Sequence, residues 1–155
     1  MDIKLRVATL ADLETLERFQ DKLVSFEKSF DPTIPKTGKV HYYNLKELIQ
    51  ASNVCFLIAH ADKEIAGCGF AQIRKNDAAW AAVKQTGYIG LMFVDEKFRG
   101  KKIGTLIIQK LLEWFSERTI FDIRLKVYAE NLAAIHAYEK CGFKNFVVEM
   151  RRAHD

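Results

Sequence analysis

The chain has 155 residues, of which 49% are apolar and 28% charged, with a formal net charge of +4. That length suits a single domain, 1–155, with a substantial core, and the composition is that of a globular protein rather than a disordered or fibrous one. No apolar run approaches the ~18–20 residues of a membrane span, and so mild a charge does not by itself argue for nucleic acid, so neither is expected as a partner.

The opening Met1-Asp2-Ile3-Lys4-Leu5-Arg6 alternates charged with apolar groups and lacks a signal peptide's apolar core, so export is not expected. Cys55, Cys68 and Cys141 are odd in number, widely spaced and without a Cys-x-x-Cys pair. They read as small core residues in a reduced, cytoplasmic setting, and no metal site is expected.

Ile3–Ala8 alternates Ile3, Leu5 and Val7 against Lys4 and Arg6, the pattern of a half-buried strand. Thr9 and Asp12 then resemble a capping box. Leu13, Leu16, Phe19, Leu23, Phe26 and Phe30 follow at spacings of three and four, one stripe of a long helix that should end before Asp31-Pro32. Both prolines fall in 31–38, a loop. A second helix is expected over Tyr42–Ala51. Asn53–Ala61 and Glu64–Arg74 read as two strands joined by Asp62-Lys63 in a hairpin, with Gly67 and Gly69 suggesting a bulge or a close approach. Asn76–Thr86 is compatible with either a short helix or an ordered loop.

Tyr88–Val94 is a short apolar run that reads as a buried strand. Asp95–Phe98 leads out of it, Arg99-Gly100-Lys101-Lys102-Ile103-Gly104-Thr105 follows, and Ile103, Ile107, Leu111 and Phe115 then recur four apart. Strand, glycine turn and helix start therefore succeed one another. A helix start offers unpartnered N–H groups and partial positive charge, and Lys97, Arg99, Lys101 and Lys102 add formal charge, which suits a phosphate or pyrophosphate. A basic surface loop would read the same way. Neither a P-loop nor a Gly-x-Gly-x-x-Gly turn is present. A nucleic-acid surface built on these cations and Lys110 would lack interleaved aromatic platforms.

Asp122–Ala129 alternates as a strand, Asn131 is placed to cap a helix over Leu132–Lys140, Gly142 would end it, and Phe143–Arg151 reads as a final strand. The alternation of strands and helices gives an α/β class with a mixed, mostly antiparallel sheet flanked by helices.

Val94 followed by Arg99-Gly100-Lys101-Lys102-Ile103-Gly104, with Val127-Tyr128-Ala129-Glu130-Asn131, Ala134, Tyr138-Glu139-Lys140 and Gly142-Phe143 downstream, resembles the motifs of the GNAT superfamily of N-acetyltransferases. The resemblance implies a single GNAT-like domain with splayed central strands that moves an acetyl group from acetyl-CoA directly to a primary amine of a small molecule or peptide. It implies that Arg99, Gly100, Lys101, Lys102, Ile103, Gly104 and Thr105 clasp the pyrophosphate and that Phe93 and Val94 hold the pantetheine arm. Asn131 would help bind the cofactor, and Tyr138 would protonate the leaving thiolate. The acceptor would meet the region between the first two helices, where Glu27, Asp31, His41 and Tyr42 are candidates. A homodimer is common in the superfamily.

Two departures stand out. Lys102 occupies a place usually held by glycine, which costs roughly 1 kcal/mol if the backbone there is left-handed. Gly90 occupies the place where many relatives carry a glutamate base, and no residue is assigned that role. The alternative reading is a catalytically silent acetyl-CoA-binding regulatory domain.

Overall fold

A computed structural model describes residues 1–154. Strands β1 (Ile3–Val7), β2 (Val54–Ala61), β3 (Glu64–Lys75), β4 (Gln85–Val94) and β5 (Ile123–Arg124) form one sheet in chain order. The helices are α1 (Leu13–Glu27), α2 (Leu45–Gln50), α3 (Ile103–Glu117) and α4 (Leu132–Lys140). Neighbouring strands pair antiparallel except β4 and β5, which are parallel because α3 carries the chain across between them.

Each face of the sheet is covered because alternate residues point to opposite sides. Leu57, Ala59, Ala71 and Ile89 meet Ile103, Ile107, Leu111 and Phe115, the expected stripe of α3, and all four stripe residues are buried. Phe56, Ile58, Cys68, Phe70 and Phe93 on the other face meet Leu16 and Phe19 of α1 and Leu45 of α2. Burying each of the leucines, isoleucines and phenylalanines among them stabilises the fold by about 1.5–3 kcal/mol. Cys55 and Cys68 are buried as expected, while Cys141 is only partly so.

Three expectations need correction, and one open alternative is decided. The second helix is shorter than Tyr42–Ala51: Asn44 caps it by accepting from the Glu47 N–H at 3.2 Å, which leaves Tyr42 and Tyr43 in the preceding loop. The stretch before β4 forms no helix, and its alanines lie in an irregular connection to Gln85. The strand over Asp122–Ala129 is in a ladder only at Ile123 and Arg124. Phe143–Arg151 is in no ladder at all among the described residues. Alternating apolar residues report a tendency to extend, but a ladder also needs backbone groups within hydrogen-bonding reach, and past Arg124 these stretches have none in the sheet.

The turn before α1 is fastened by charge. The Asp12 carboxylate accepts from the Thr9 N–H at 2.8 Å and from both terminal nitrogens of Arg6 at 2.8 Å, which ties β1 to the helix entry. The Arg6 hydrogen bonds hold this nearly buried carboxyl down to about 2 against an ordinary 3.8. Because the folded-state value is depressed, the stabilisation is fully present above pH ~4 and is lost as pH falls through about 2, a loss of about 2 kcal/mol. Chemical denaturation followed from pH 6 to pH 2 should show this loss, and Asp12→Asn should flatten that part of the profile.

Candidate active site

The site is made by a defect in the sheet. Along the β3–β4 ladder Cys68 faces Phe93 and Phe70 faces Gly90, so Leu91 and Met92 together oppose Gly69. This is a β-bulge, and Leu91 carries its irregularity with φ +47°. A side chain at Gly69 would displace the Met92 sulfur, which lies over the space that glycine leaves open. Beyond Tyr88↔Arg124 the β4–β5 ladder stops. Phe93 and Val94 therefore pair with β3 on one side and face no strand on the other, leaving a slot lined by free backbone groups.

The start of α3 lies at one end of that slot. Lys102, the residue just before the helix, is left-handed at φ +61°, the conformation for which glycine would be the unstrained choice. No side chain caps the helix and no acidic residue lies in its first turn. The N–H groups of Ile103, Gly104 and Thr105 thus keep their capacity to bind an anion, and the helix dipole favours one there. Gly104 is not demanded by internal packing, since a Cβ there would only touch a Val94 methyl at 3.7 Å. Gly100, at φ +76°, opens onto free space. Among the cations, Lys97 is engaged with Glu64 at 2.6 Å and Arg99 folds back to donate to the Val94 carbonyl at 3.2 Å. Lys101 lies against Phe98 and Met1, and Lys102 makes no ion pair among the described residues.

Acids and phenols gather at the other end. Burial pushes the Glu27 carboxyl above the usual carboxylate range, and Asp31 adds like charge. Glu27 in turn helps raise Tyr42, Tyr128 and Tyr138. The Tyr42 hydroxyl is buried and, although close to Glu27 and Tyr128, makes no well-formed hydrogen bond. Tyr128 donates to Asp31 at 2.7 Å, and this bond together with those from Thr33 holds the Asp31 carboxyl below its usual range. Tyr138 is pushed up to about 12, mainly by burial and then by Glu27 and Tyr88, so its hydroxyl stays protonated at neutral pH. Its ring meets Phe143 edge-on at 6.1 Å.

Gly90 forms the floor between the two ends. A side chain there would collide with the Phe70 ring and come within 2.9 Å of the Tyr43 hydroxyl. The space that a glutamate would need is filled by aromatic groups. Tyr43 is itself fixed by a 3.0 Å bond to the Tyr88 hydroxyl and by its N–H, which donates to the buried Gln20 side chain at 3.0 Å. The Arg74 guanidinium lies 3.7 Å over the Tyr88 ring.

Of the residues selected from sequence, the structure brings Glu27, Asp31, Tyr42 and Tyr138 into one neighbourhood. It leaves His41 exposed, with no side-chain hydrogen bond among the described residues. Asn131 is occupied as the cap of α4, accepting from the Ala134 N–H at 3.3 Å. Sequence reasoning did not single out Tyr88, Arg74 or Gln20. The available signal was faint: Tyr88 is a hydroxyl opening an otherwise apolar strand, and Gln20 a polar residue beside Phe19 on the buried side of α1.

A splayed parallel pair, a bulged central strand and an uncapped basic helix start thus frame a site suited to an anion at one end. A profile described as the acetyltransferase (GNAT) family matches residues 16–143, so the chain belongs to that family. It is 28% identical over 126 residues to N-alpha-acetyltransferase 30 of Dictyostelium discoideum, covering 81% of this chain and 62% of that relative. The chain thus spans less than two thirds of that protein's length. The fold is similar to that of a tetramutant of the BH1408 protein from Bacillus halodurans, with TM-score 0.86 and 20% identity over 97% of this chain and 99% of the other. It is also similar to a predicted acetyltransferase of Clostridium acetobutylicum crystallised with acetyl-CoA, with TM-score 0.71 and 17% identity over 97% and 96% of the two chains. No group of His, Cys, Asp and Glu among the described residues is arranged to hold a metal ion.

Proposed function

We propose that this protein is an N-acetyltransferase that moves an acetyl group from acetyl-CoA directly to a primary amine of a small molecule or peptide. The observation that carries the reading is the uncapped, acid-free start of α3 at the mouth of the β4–β5 slot, with a protonated Tyr138 and a desolvated Glu27 at the far end. The relatives named N-acetyltransferase, and the similar fold crystallised with acetyl-CoA, support it.

The thioester supplies an activated acetyl group, and the remaining work falls to the chain. The amides of Ile103, Gly104 and Thr105, reached across Gly100 and assisted by Lys101, Lys102 and Arg99, receive the diphosphate. Free backbone groups of Phe93 and Val94 hold the pantetheine arm as an added strand would be held. Asn131 acts at one remove, by fixing the start of the helix that carries Tyr138.

The acceptor enters beside Tyr42 and the carboxylates of Glu27 and Asp31, whose negative charge attracts an ammonium group. An amine of pKa about 10.4 is neutral in fewer than about one molecule in a thousand at pH 7, so it must lose a proton before it attacks. Glu27 takes that role in place of the glutamate that Gly90 cannot supply. Its raised pKa makes it a better base than an exposed carboxylate, and it sits among the phenols that line the path. The amine nitrogen bonds to the carbonyl carbon and the carbon–sulfur bond breaks. Tyr138 then donates to the departing thiolate. At about 12 the phenol lies roughly three units above a free thiol, so full transfer is uphill and Tyr138 assists chiefly through the hydrogen bond it donates to the departing sulfur.

An acceptor screen by thiol release, over small amines and peptide N-termini, tests the reading directly. Acetyl-CoA binding without turnover of any amine would identify a silent binding module instead. Gly104→Glu should set a carboxylate against the diphosphate and weaken acetyl-CoA binding tenfold or more, about 1.4 kcal/mol by calorimetry; unchanged affinity would place the anion elsewhere. Tyr138→Phe should lower kcat about 100-fold with little change in acetyl-CoA affinity. For Glu27 the sign is fixed by its raised pKa: the base is lost as pH falls, so the acid limb of kcat/KM should lie above the ordinary glutamate value of about 4.3. Glu27→Gln should abolish that limb and cost at least about tenfold at neutral pH.

A further inference from the structure

The floor at Gly90 carries two phenols with one hydrogen more than they use. The hydroxyl oxygens of Tyr43 and Tyr88 are 3.0 Å apart, and neither makes another side-chain hydrogen bond among the described residues. Each phenol brings one hydrogen, and the bond between them takes one, so one is left. Tyr43 is the enclosed member. Its ring meets the fully buried Phe70 ring edge-on at 4.9 Å, and its hydroxyl lies over Gly90, 2.9 Å from where a Cβ would stand. Among the described residues the Tyr88 oxygen is the acceptor within its reach, so Tyr43 donates to Tyr88 and the free hydrogen belongs to Tyr88.

That hydrogen stands at the closed end of the slot. Tyr88↔Arg124 is the last pair of the β4–β5 ladder, while the slot's other end is the start of α3. The Tyr88 ring packs with Phe70 on the face that α1 and α2 cover, two residues from Gly90. Tyr138 and Glu27 border the same space: Tyr88 is near enough to Tyr138 to help raise its phenol, and Glu27 does the same to Tyr43. An arm held by Phe93 and Val94 and running from α3 toward the closed end carries its thioester to the level of Gly90, among these groups.

Two neighbours make the Tyr88 hydroxyl a strong donor. A hydroxyl that accepts one hydrogen bond donates a stronger one, because the two polarise each other, and Tyr43 supplies the first. The Arg74 guanidinium lies 3.7 Å over the Tyr88 ring, and a cation there favours the negative charge that the phenol oxygen gains as it donates. Both neighbours are held in place. Arg74 donates to the Gln72 side chain at 2.8 Å, and the Tyr43 N–H donates to the buried Gln20 side chain at 3.0 Å.

We propose, resting on the acetyl transfer put forward above, that the Tyr88 hydroxyl is a further catalytic group, which donates to the carbonyl oxygen of the thioester. As the amine nitrogen bonds to the carbonyl carbon, one C=O electron pair moves onto oxygen, where Tyr88 meets the charge. As that pair returns, the carbon–sulfur bond breaks and its electrons go to sulfur, beside Tyr138, while the nitrogen's proton goes to Glu27. Neighbouring phenols thus serve the two atoms on which charge collects in turn. Tyr88 keeps its proton throughout and needs no base of its own.

Infrared spectra of bound acetyl-CoA with an isotopically labelled thioester carbonyl read this contact without turnover. The carbonyl band should lie at lower frequency in the unmodified chain than in Tyr88→Phe, which keeps the ring that Phe70 and Arg74 touch and removes only the hydroxyl. Tyr43→Phe leaves the Tyr88 hydrogen in place and should move the band less, in the same direction. With an amine acceptor, Tyr88→Phe should lower kcat about 100-fold with little change in acetyl-CoA affinity. Acetyl-CoA bound with an unmoved band in Tyr88→Phe overturns the proposal and leaves acetyl transfer standing; an unchanged kcat, or a band moved by Tyr43→Phe alone, does the same. A chain that binds no acetyl-CoA by calorimetry overturns both.

Discussion

The rest of the site depends on how little holds β4 to β5. Two residue pairs, Gly87↔Ile123 and Tyr88↔Arg124, join strands whose sequences are long enough for several more. The bulge at Leu91 turns β4 aside just past the last of them, and Gly69 gives the Met92 side chain room to lie across β3. A continuous sheet would have satisfied more backbone groups. The fold gives those up in the middle of a rigid scaffold, where α3 on one face and α1 on the other keep the opened edges from collapsing.

The slot is electrically polarised along its length. One end combines the positive terminus of α3 with lysines and no nearby acid in the helix's first turn. The other gathers Glu27 and Asp31 among tyrosines whose burial keeps them neutral. In the reaction proposed above, this polarity would sort an anionic donor and a cationic acceptor to opposite ends, with the reacting carbonyl between them. Neutral phenols allow this without a net charge in the dry part of the channel.

Much of this was readable from residue order, and the reasons for the rest are physical. The stripe Ile103–Ile107–Leu111–Phe115 identified α3 because helical periodicity records burial on one side only. The glycine turn and Lys102 pointed to a left-handed step at the helix start, and the backbone adopts one. Asn131 and the bounds of α4 were legible because capping is local chemistry. Tyr42 and Tyr43 were misassigned to a helix because apolar spacing continues upstream of Asn44, and only the cap decides where the helix begins. The cluster around Glu27 could be suspected but not assembled, since it depends on α1, the loop before α2 and the Tyr128 turn meeting across the open sheet. The strands expected over 122–129 and 143–151 were overestimated: only Ile123 and Arg124 enter a ladder. Local pattern reports the tendency to extend, whereas pairing is a property of what lies alongside.

The filled floor at Gly90 makes the order of substitutions at this site matter. With Phe70 and Tyr43 packed against its α-carbon, any side chain at residue 90 is excluded until one of those rings is made smaller. A shrunken Phe70 alone would leave a void in the core beneath α1 and α2, where it is fully buried. A carboxylate at 90 and a smaller neighbour are each harmful alone and tolerable only together, so two homologous chains that differ here stand on separate adaptive peaks, and a glutamate transplanted into this one as a single change would arrive in a background unable to accept it.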